Sequence, residues 1–385
     1  MPLSPRSGNL RISAPGDAGA PLNRRLNWEQ FKQYRFLLTE HSYILPRILR
    51  SYLKLILLKQ PVVRGVEFAI TYRCQAHCVH CLQTELVCER PELTPSEIGR
   101  IASDFYEFGG LNINITGGEP LLRDDLFECI AAASPRKGFV TLASNGLYLS
   151  WPLARELKRA GIRMVTISLD GATASSHDAI RGVPGCFDQV LAAARYCREA
   201  GMRVFLNTIM TRQNEESGEI YEIIDLVRRE GHTCTINLPY AVGAWEGVTD
   251  NRLTPEQMKR YWELVHQPGV RWEGDANYLQ EGCPAGTEKI YITPYGDLMP
   301  CAVIHASFGN LRERRLLELY PEMRSLDVFK KPHGFCLVGG NPTFQKRILD
   351  RINAAARDPE DVEGMTEPLK QITHEELSRD SGGRP

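Results

Sequence analysis

The sequence lacks any apolar stretch that is long enough and free enough of charge to span a bilayer. It also lacks an excess of either charge, since 46 Lys and Arg face 47 Asp and Glu, so its balance does not favour a nucleic-acid partner. No secretory signal is recognisable before the cysteines, whose number, 11, is odd. These absences argue against a disulfide scaffold, and we expect a cytoplasmic chain with reduced thiols.

The length of 385 residues is sufficient for one large domain and a smaller one. Prolines and glycines crowd the first 21 residues and predict a disordered lead. Residues 47–59, between Pro46 and Pro61, predict a helix that is basic on one side and apolar elsewhere. Such a helix either packs its apolar side into the core or lies on an anionic membrane surface, and the sequence leaves both open. A polar tail is predicted from about Asp358.

Between these ends, strand-like and helix-like segments alternate. The predicted strands are residues 66–71, 111–116, 139–143, 164–169, 204–210 and 233–238. The predicted helices are residues 94–108, 125–133, 152–160, 187–200 and 219–229. This alternation predicts six parallel strands with helical crossovers, which is an α/β fold built as a partial (β/α)6 barrel.

Three cysteines, Cys74, Cys78 and Cys81, form a CxxxCxxC loop directly after the first predicted strand. Three thiolates can hold three irons of a 4Fe-4S cube, which normally takes four, so one iron is left open for a small molecule. Zinc with His77 or His80 as the fourth ligand is the alternative, although zinc sites usually combine two CxxC-like pairs. The chemistry of α/β barrels lies where strands end, and this loop is predicted there.

The same rim collects further polar motifs after the later strands. Gly117 and Gly118 let a ligand approach the backbone, and the following Glu119 can accept a hydrogen bond from an ammonium group. Further donors and acceptors follow the third and fourth strands: Ser144, Asn145, Ser168, Asp170 and, a little downstream, Arg181. Each motif alone is typical of a turn, whereas together they line one mouth.

The cysteine loop and the Gly-Gly-Glu-Pro motif, in a six-fold βα run, resemble the radical S-adenosylmethionine (SAM) superfamily over roughly residues 66–238. The resemblance implies that Cys74, Cys78 and Cys81 hold a 4Fe-4S cluster whose open iron chelates the methionine part of SAM. It implies further that Gly117, Gly118 and Glu119 bind the methionine amine, Ser168 and Asp170 reach the ribose, Arg181 partners a carboxylate, and Asn145 and Asn207 lie near the nucleoside. Ser144 also belongs to the implied cofactor-binding set. His80 departs from the pattern, because the family usually has an aromatic residue before the third cysteine. An imidazole can still stack on adenine.

A second set of cysteines, Cys283, Cys301 and Cys336, follows the predicted barrel. The Pro-Tyr-Gly-Asp segment 294–297 predicts a hairpin that brings Cys283 and Cys301 to neighbouring strands. The set resembles the SPASM or twitch extension of radical SAM enzymes, which implies a small α+β extension with an auxiliary 4Fe-4S cluster. Because no CxxC pair is present here, one cluster of twitch type is expected. Its fourth ligand is left open as a substrate, an Asp or Asn side chain, or a distant cysteine.

Burial as a small hydrophobe is the alternative role for those three cysteines. The remaining cysteines lie in a loop or inside predicted helices and strands, and we expect none of them to be a ligand: Cys88, Cys129, Cys186, Cys197 and Cys234. The expected division of the chain is residues 1–61 for the lead and basic helix, 62–245 for the barrel, 246–345 for the auxiliary-cluster region, and 346–385 for a helix and the polar tail.

The resemblance implies an oxidoreductase that cleaves SAM reductively to a 5'-deoxyadenosyl radical. That radical abstracts hydrogen from an unactivated carbon of a lipid, a peptide or a small metabolite. The alternatives are a redox-neutral epimerase or rearrangement enzyme, and a non-catalytic metal-binding module. A flavodoxin or ferredoxin is the implied reductant. Tyr240, just past the sixth strand, is placed suitably for catalysis but is more typical of packing.

Overall fold

A computed structural model describes residues 42–58, 60, 62–134, 136–272, 274, 282–358 and 361–379, and every structural statement below concerns these residues. The predicted lead, the last residue of the predicted basic helix and the end of the predicted tail lie outside them. Within the described ranges, no helix has the length and apolar character needed to cross a membrane.

One mixed sheet of nine strands forms the centre of the molecule. In chain order the strands are β1 Gly65–Thr71, β2 Asn112–Gly117, β3 Phe139–Ser144, β4 Met164–Ser168, β5 Arg203–Ile209, β6 Thr233–Asn237, β7 Val270–Arg271, β8 Lys289–Ile292 and β9 Leu298–Met299. Their order is β7-β6-β5-β4-β3-β2-β1-β8-β9, and only the β8–β9 pair is antiparallel. The six predicted strands are confirmed with bounds within one residue, in a sheet that stays open as a partial barrel.

Fifteen α-helices are present in the described residues, of which α1 precedes the sheet, α2 to α9 lie between its strands in the chain, and α10 to α15 follow β9. In chain order they are α1 Leu45–Ile56, α2 Pro95–Glu107, α3 Leu126–Ala132, α4 Trp151–Ala160, α5 Ala174–Arg181, α6 Cys186–Glu199, α7 Arg212–Glu216, α8 Glu219–Arg229, α9 Pro255–Val265, α10 Leu316–Ser325, α11 Leu337–Gly340, α12 Pro342–Phe344, α13 Asp350–Ala355, α14 Val362–Lys370 and α15 His374–Arg379. A π-helical turn, Gln345–Leu349, joins α12 to α13. Thr94 and Glu97 start α2 with reciprocal capping bonds, as their spacing predicts.

The two faces of the sheet differ in polarity, as strand alternation requires. On β2, Ile113 and Ile115 are buried in the same apolar core as Phe105 of α2, whereas Asn112 and Asn114 are only half-buried. The hydroxyl of Thr141 donates to Asn114 Oδ1 at 2.8 Å across the concave face. The helices therefore cover one face, and the other is a concave surface with polar side chains.

The predicted basic helix is present as α1, but several of its apolar side chains point away from the protein. Leu49 is 62% exposed, Leu53 46% and Ile56 57%. Ser51 is completely buried instead, and its hydroxyl donates to Gly109 O at 3.0 Å. The core-packing interpretation therefore holds for the inner side of α1, where Ile48 and Leu55 are half-buried, and not for the side that carries Leu49, Leu53 and Ile56.

The C-terminal region also differs from the prediction. The stretch expected to be a polar tail forms α14 and α15, in which Met365, Leu369 and Leu377 are buried. The amide of Asn341 anchors α15 by donating to Leu377 O at 2.9 Å. The few apolar residues of this segment are concentrated on its inner face. Its average composition is therefore polar, although the inner face packs against the rest of the protein.

Candidate active site

The cysteine loop follows the C-terminal end of β1 and is fixed by backbone bonds to two neighbouring elements. The N–H groups of His77 and Val79 donate to carbonyls of α5, at 3.1 and 3.0 Å. On the other side, the Ala244 N–H donates to Cys81 O at 2.9 Å from the loop after β6. Held in this way, the loop keeps the Cys74 thiol exposed and those of Cys78 and Cys81 half-buried.

The two glycines after β2 permit a close approach between loops. An added Cβ would lie 2.0 Å from Thr71 O at Gly117 and 2.5 Å from Arg73 O at Gly118. The Gly118 and Glu119 N–H groups donate to these same two carbonyls, both at 2.8 Å. In the structure, the space beside both glycines is therefore filled by the chain that enters the cysteine loop.

Glu119 is fully buried and joins the motif after β2 to the one after β3. Its carboxylate accepts from the Asn145 N–H at 2.7 Å, from the Ser144 hydroxyl at 3.0 and 3.1 Å, and from the Leu121 N–H at 3.1 Å. Burial raises the pKa of Glu119 to about 7, although these donors oppose the rise. The amide of Asn145 reaches on to Cys74 Sγ at 3.7 Å. Glu119, Ser144, Asn145 and Cys74 thus form one connected group.

A buried ion pair lies behind the cysteine loop. Arg181 Nη2 is 2.5 Å from Asp170 Oδ2, and Arg181 Nη1 donates to Cys78 Sγ at 3.3 Å. Burial opposes ionisation of Asp170, yet Arg181 and His80 keep its pKa below the usual value. Asp170 and Arg181, which were predicted to contact SAM, contact each other here, and their roles toward SAM stay a prediction.

His80 lies in the same buried region. Its Nε2 is 3.7 Å from Asp170 Oδ2, and burial lowers its pKa to about 4 despite that carboxylate. The imidazole is therefore neutral near pH 7. Its ring packs on Trp245, with centroids 5.5 Å apart. Trp245 was missed from the sequence, where only its place just beyond β6 marks it.

The remaining predicted rim residues lie along the ends of adjacent strands. Ser168 of β4 and Asn207 of β5 are partners in the parallel register. Asn237, which no sequence motif singled out, donates from its amide to Asn207 Oδ1 at 3.0 Å. Gln75, also missed, donates to Asn145 Oδ1 at 3.2 Å from within the cysteine loop.

The donor set suits an iron–sulfur cluster. Three thiols stand on one short loop at a partly open edge, and the Arg181 guanidinium can compensate the charge that a thiolate-bound cluster carries. Across the part of the chain that is described, no group of three or more His, Cys, Asp or Glu side chains is arranged to hold a single metal ion.

The second cysteine set comes together from three segments. A hydrogen bond from the Cys336 thiol lowers the pKa of Cys283 to about 7, and burial raises the pKa of the neighbouring Cys301 to about 12. The predicted hairpin is β8–β9, but Cys283 lies before β8 in a bridge with His333 rather than on a strand. The Gly286 N–H donates to Pro300 O at 2.9 Å and brings the two segments together.

Two tyrosines connect the neighbourhoods of the two cysteine sets. The hydroxyls of Tyr72, after β1, and Tyr291, on β8, are 3.0 Å apart. The Tyr291 side chain also forms a hydrogen bond with Gln83 and interacts electrostatically with Cys81. Tyr240, by contrast, packs close to Gly339 in α11, on the side of the second set.

Comparison with known proteins decides the family. The chain is 30% identical to the mycofactocin maturase MftC of Mycolicibacterium smegmatis over 356 residues, which covers 80% of this chain and 88% of the maturase. Residues 68–227 match the radical SAM superfamily model. The chain belongs to the radical SAM superfamily. Residues 283–337 match SPASM, an iron–sulfur cluster-binding domain.

Two further relatives agree with this membership. The radical SAM chain is 26% identical to the AdoMet-dependent heme synthase of Nitratidesulfovibrio vulgaris over 302 residues, 70% of this chain and 82% of that protein. The fold of this chain is similar to that of Streptococcus suis SuiB bound to precursor peptide SuiA. The TM-score is 0.58 and the sequence identity 19%, and the match covers 82% of this chain and 75% of that chain.

Membership identifies the cofactors of this SPASM-containing radical SAM enzyme. They are SAM, the 4Fe-4S cluster that binds SAM, and one or more auxiliary 4Fe-4S clusters in the extension. Which cysteines hold each cluster remains a prediction, as do the number of auxiliary clusters, the fourth auxiliary ligand and the roles of the rim residues toward SAM.

Proposed function

We propose that this chain is an oxidoreductase that uses a 5'-deoxyadenosyl radical to abstract hydrogen from an unactivated carbon of a peptide. The observation that carries the proposal is one continuous sheet that joins the two cysteine sets, since the first set follows β1 and Cys283 and Cys301 flank the β8–β9 hairpin. Strand β8 of the extension pairs directly with β1, which leads into the first cysteine loop. The sheet would thus connect the cluster that cleaves SAM with an auxiliary cluster that can accept an electron from the substrate.

The concave face supports a peptide as the substrate class. Its side chains include amides and hydroxyls that already hydrogen-bond one another, such as Asn114 with Thr141 and Asn207 with Asn237. Groups of this kind can exchange those bonds for the N–H and C=O groups of an extended chain. The names of the maturase and of the SuiB–SuiA complex point in the same direction. A lipid or a small metabolite is the alternative.

The protein side of the reaction consists of holding and shielding. When bound, the reduced cluster supplies the electron that cleaves the C5'–S bond of SAM. Cys74, Cys78 and Cys81 would hold that cluster, and Arg181 would steady Cys78. Glu119 would offer a carboxylate to an N–H of the methionine amine. A flavodoxin or ferredoxin would supply the electron.

A redox-neutral reaction is the second candidate, because some radical SAM enzymes isomerise their substrate. Counting SAM per product separates the two reactions. An oxidation consumes one SAM for each product, whereas an isomerase that regenerates SAM consumes less. A purely metal-binding module would make no 5'-deoxyadenosine.

The test is anaerobic reconstitution with dithionite and SAM, followed by measurement of 5'-deoxyadenosine. We expect cleavage by the wild type and none by Cys78→Ala. Cys301→Ala should keep uncoupled cleavage but lose about half of the roughly eight irons expected for two cubes. Cys197→Ala, at a buried thiol on α6, is the matched control and should keep both cleavage and iron. A fully loaded wild type without cleavage would contradict the proposal.

A further inference from the structure

Helix α1 presents an apolar stripe to the outside of the molecule. The stripe consists of Leu45, Leu49, Leu53, Ile56 and Leu57, whose exposed fractions are 36, 62, 46, 57 and 69%. Spacings of three and four residues place Leu45, Leu49, Leu53 and Ile56 on one side of α1, and Leu57 follows at its C-terminal cap. A contiguous apolar face is uncommon on a protein surface unless it meets a partner or a membrane.

Polar contacts on the opposite side fix the direction of this stripe. Arg47 donates to Tyr106 O at 2.6 Å and lies over the Tyr106 ring, 5.1 Å from its centroid. The buried Ser51 hydroxyl donates to Gly109 O one turn further on. These bonds anchor the polar face of α1 to the end of α2. Ile48 and Leu55 are half-buried on that same inner side, so α1 carries apolar side chains on both its inner and its outer side.

The charges beside the stripe have one sign. Arg50 is exposed and Lys54 is half-buried, and each influences the other electrostatically. No Asp or Glu occurs between residues 42 and 66, and the acidic residue acting on Lys54 is Glu107, on α2. Leucine on one side with arginine and lysine at its border is the composition of helices that lie in a membrane interface.

We propose that α1 docks this enzyme on a membrane surface that contains anionic lipids. The stripe would enter the boundary between headgroups and acyl chains, and Arg50 and Lys54 would meet lipid phosphates. A second copy of the chain fits less well, since pairing two stripes would bring their like-charged borders together. With 12 residues, α1 is far too short to span a bilayer and would lie in its plane.

The test is co-sedimentation of the full-length, cluster-loaded protein with vesicles. We expect binding to vesicles that mix phosphatidylcholine with phosphatidylglycerol, and weak binding to phosphatidylcholine alone. Leu49→Gln/Leu53→Gln should lower the affinity about tenfold or more, because less apolar surface is buried. Arg50→Gln/Lys54→Gln should remove most of the preference for phosphatidylglycerol. Phe127→Gln, at an apolar residue of α3 that is 37% exposed, is the matched control and should bind like the wild type.

Three results would overturn the proposal. One is a wild type that binds neither vesicle. Another is a dimer, seen by sedimentation equilibrium, that Leu49→Gln/Leu53→Gln dissociates, because a second copy would then cover the stripe. The third is vesicle binding that appears only after removal of residues 1–41, because that segment would then cover it. The leucine variant should still make 5'-deoxyadenosine, so failure here is distinguishable from failure of the proposed function.

Discussion

At the scale of single residues, Arg181 connects a buried carboxylate to the cysteine loop. It lies between the Asp170 carboxylate and the Cys78 thiol, and it is buried together with Asp170. A buried charge whose partner is removed is costly, whereas removal of both charges is much less so. Arg181 therefore links the stability of the protein to the position of the cysteine loop.

The first prediction concerns this pair. Arg181→Met should lower the free energy of unfolding by about 3 kcal/mol, because the Asp170 carboxylate would lose its buried partner. Adding Asp170→Asn should recover at least half of that loss. Urea unfolding of the cluster-free single and double variants measures both effects. Equal stability of Arg181→Met and wild type would contradict the assignment.

The second prediction concerns Glu119, whose pKa burial raises to about 7. If its carboxylate accepts from the methionine amine, SAM affinity should rise between about pH 6 and 8 as Glu119 ionises. Glu119→Gln should bind SAM more weakly and with little pH dependence. In the free protein the sign is opposite, since a raised carboxyl pKa makes folding less favourable as pH rises through 7. Calorimetric titration of loaded protein with SAM gives the affinities, and an unchanged pH profile in Glu119→Gln would contradict the role.

At the scale of elements, the cysteine loop depends on close backbone contacts with its neighbours. The loop after β6 reaches it through Gly243, which has a φ of +57° and no room for a side chain. A Cβ there would lie 2.3 Å from Cys81 O. The nearby Gly247 has a φ of +75°, but no atom lies within 4 Å of the position that a Cβ would occupy there.

The third prediction uses these two glycines as a matched pair. Gly243→Ala should displace the Cys81 backbone and reduce the iron retained after reconstitution, in addition to its strain. Gly247→Ala should cost only the left-handed strain of about 1 kcal/mol and keep its iron. Iron analysis and thermal unfolding of both variants measure the difference. Equal iron in both would show that the contact with Cys81 does not position the cluster loop.

At the scale of the whole molecule, the extension is joined to the barrel by the sheet and by ion pairs. Arg312 shows this best: its guanidinium donates to Glu97 Oε1 at 2.7 Å on α2, and to Tyr295 O and Glu92 O at 3.1 Å. Arg90 similarly donates to both carboxylate oxygens of Asp297. The extension and the barrel should therefore unfold together.

The fourth prediction follows from that connection. Arg312→Ala should destabilise the protein by about 1 to 3 kcal/mol, because it leaves several hydrogen-bond acceptors unpaired. Arg314→Ala is the control: its exposed partners, Glu318 and Glu322, belong to α10 in the extension itself, so a smaller effect is expected. Chemical unfolding followed by circular dichroism compares the two. If both variants unfold like the wild type, Arg312 does not couple the two parts.

Local sequence determined the elements of this protein and the identity of its cofactors. Apolar runs and alternation place the six central strands, and Thr94 with Glu97 marks the start of α2, because these signals act within a few residues. The spacing of Cys74, Cys78 and Cys81 likewise predicts an iron–sulfur loop.

Tertiary structure decided what depends on residues far apart in the chain. Asp170 meets Arg181 behind Cys78, and Trp245 meets His80, through contacts that no short pattern contains. The amphipathic pattern of α1 is compatible with either orientation, and only the bonds of Arg47 and Ser51 to the end of α2 turn its leucines outward. The periodicity of a sequence defines which residues share one face of a helix. Contacts with residues far away in the chain determine whether that face points inward or outward.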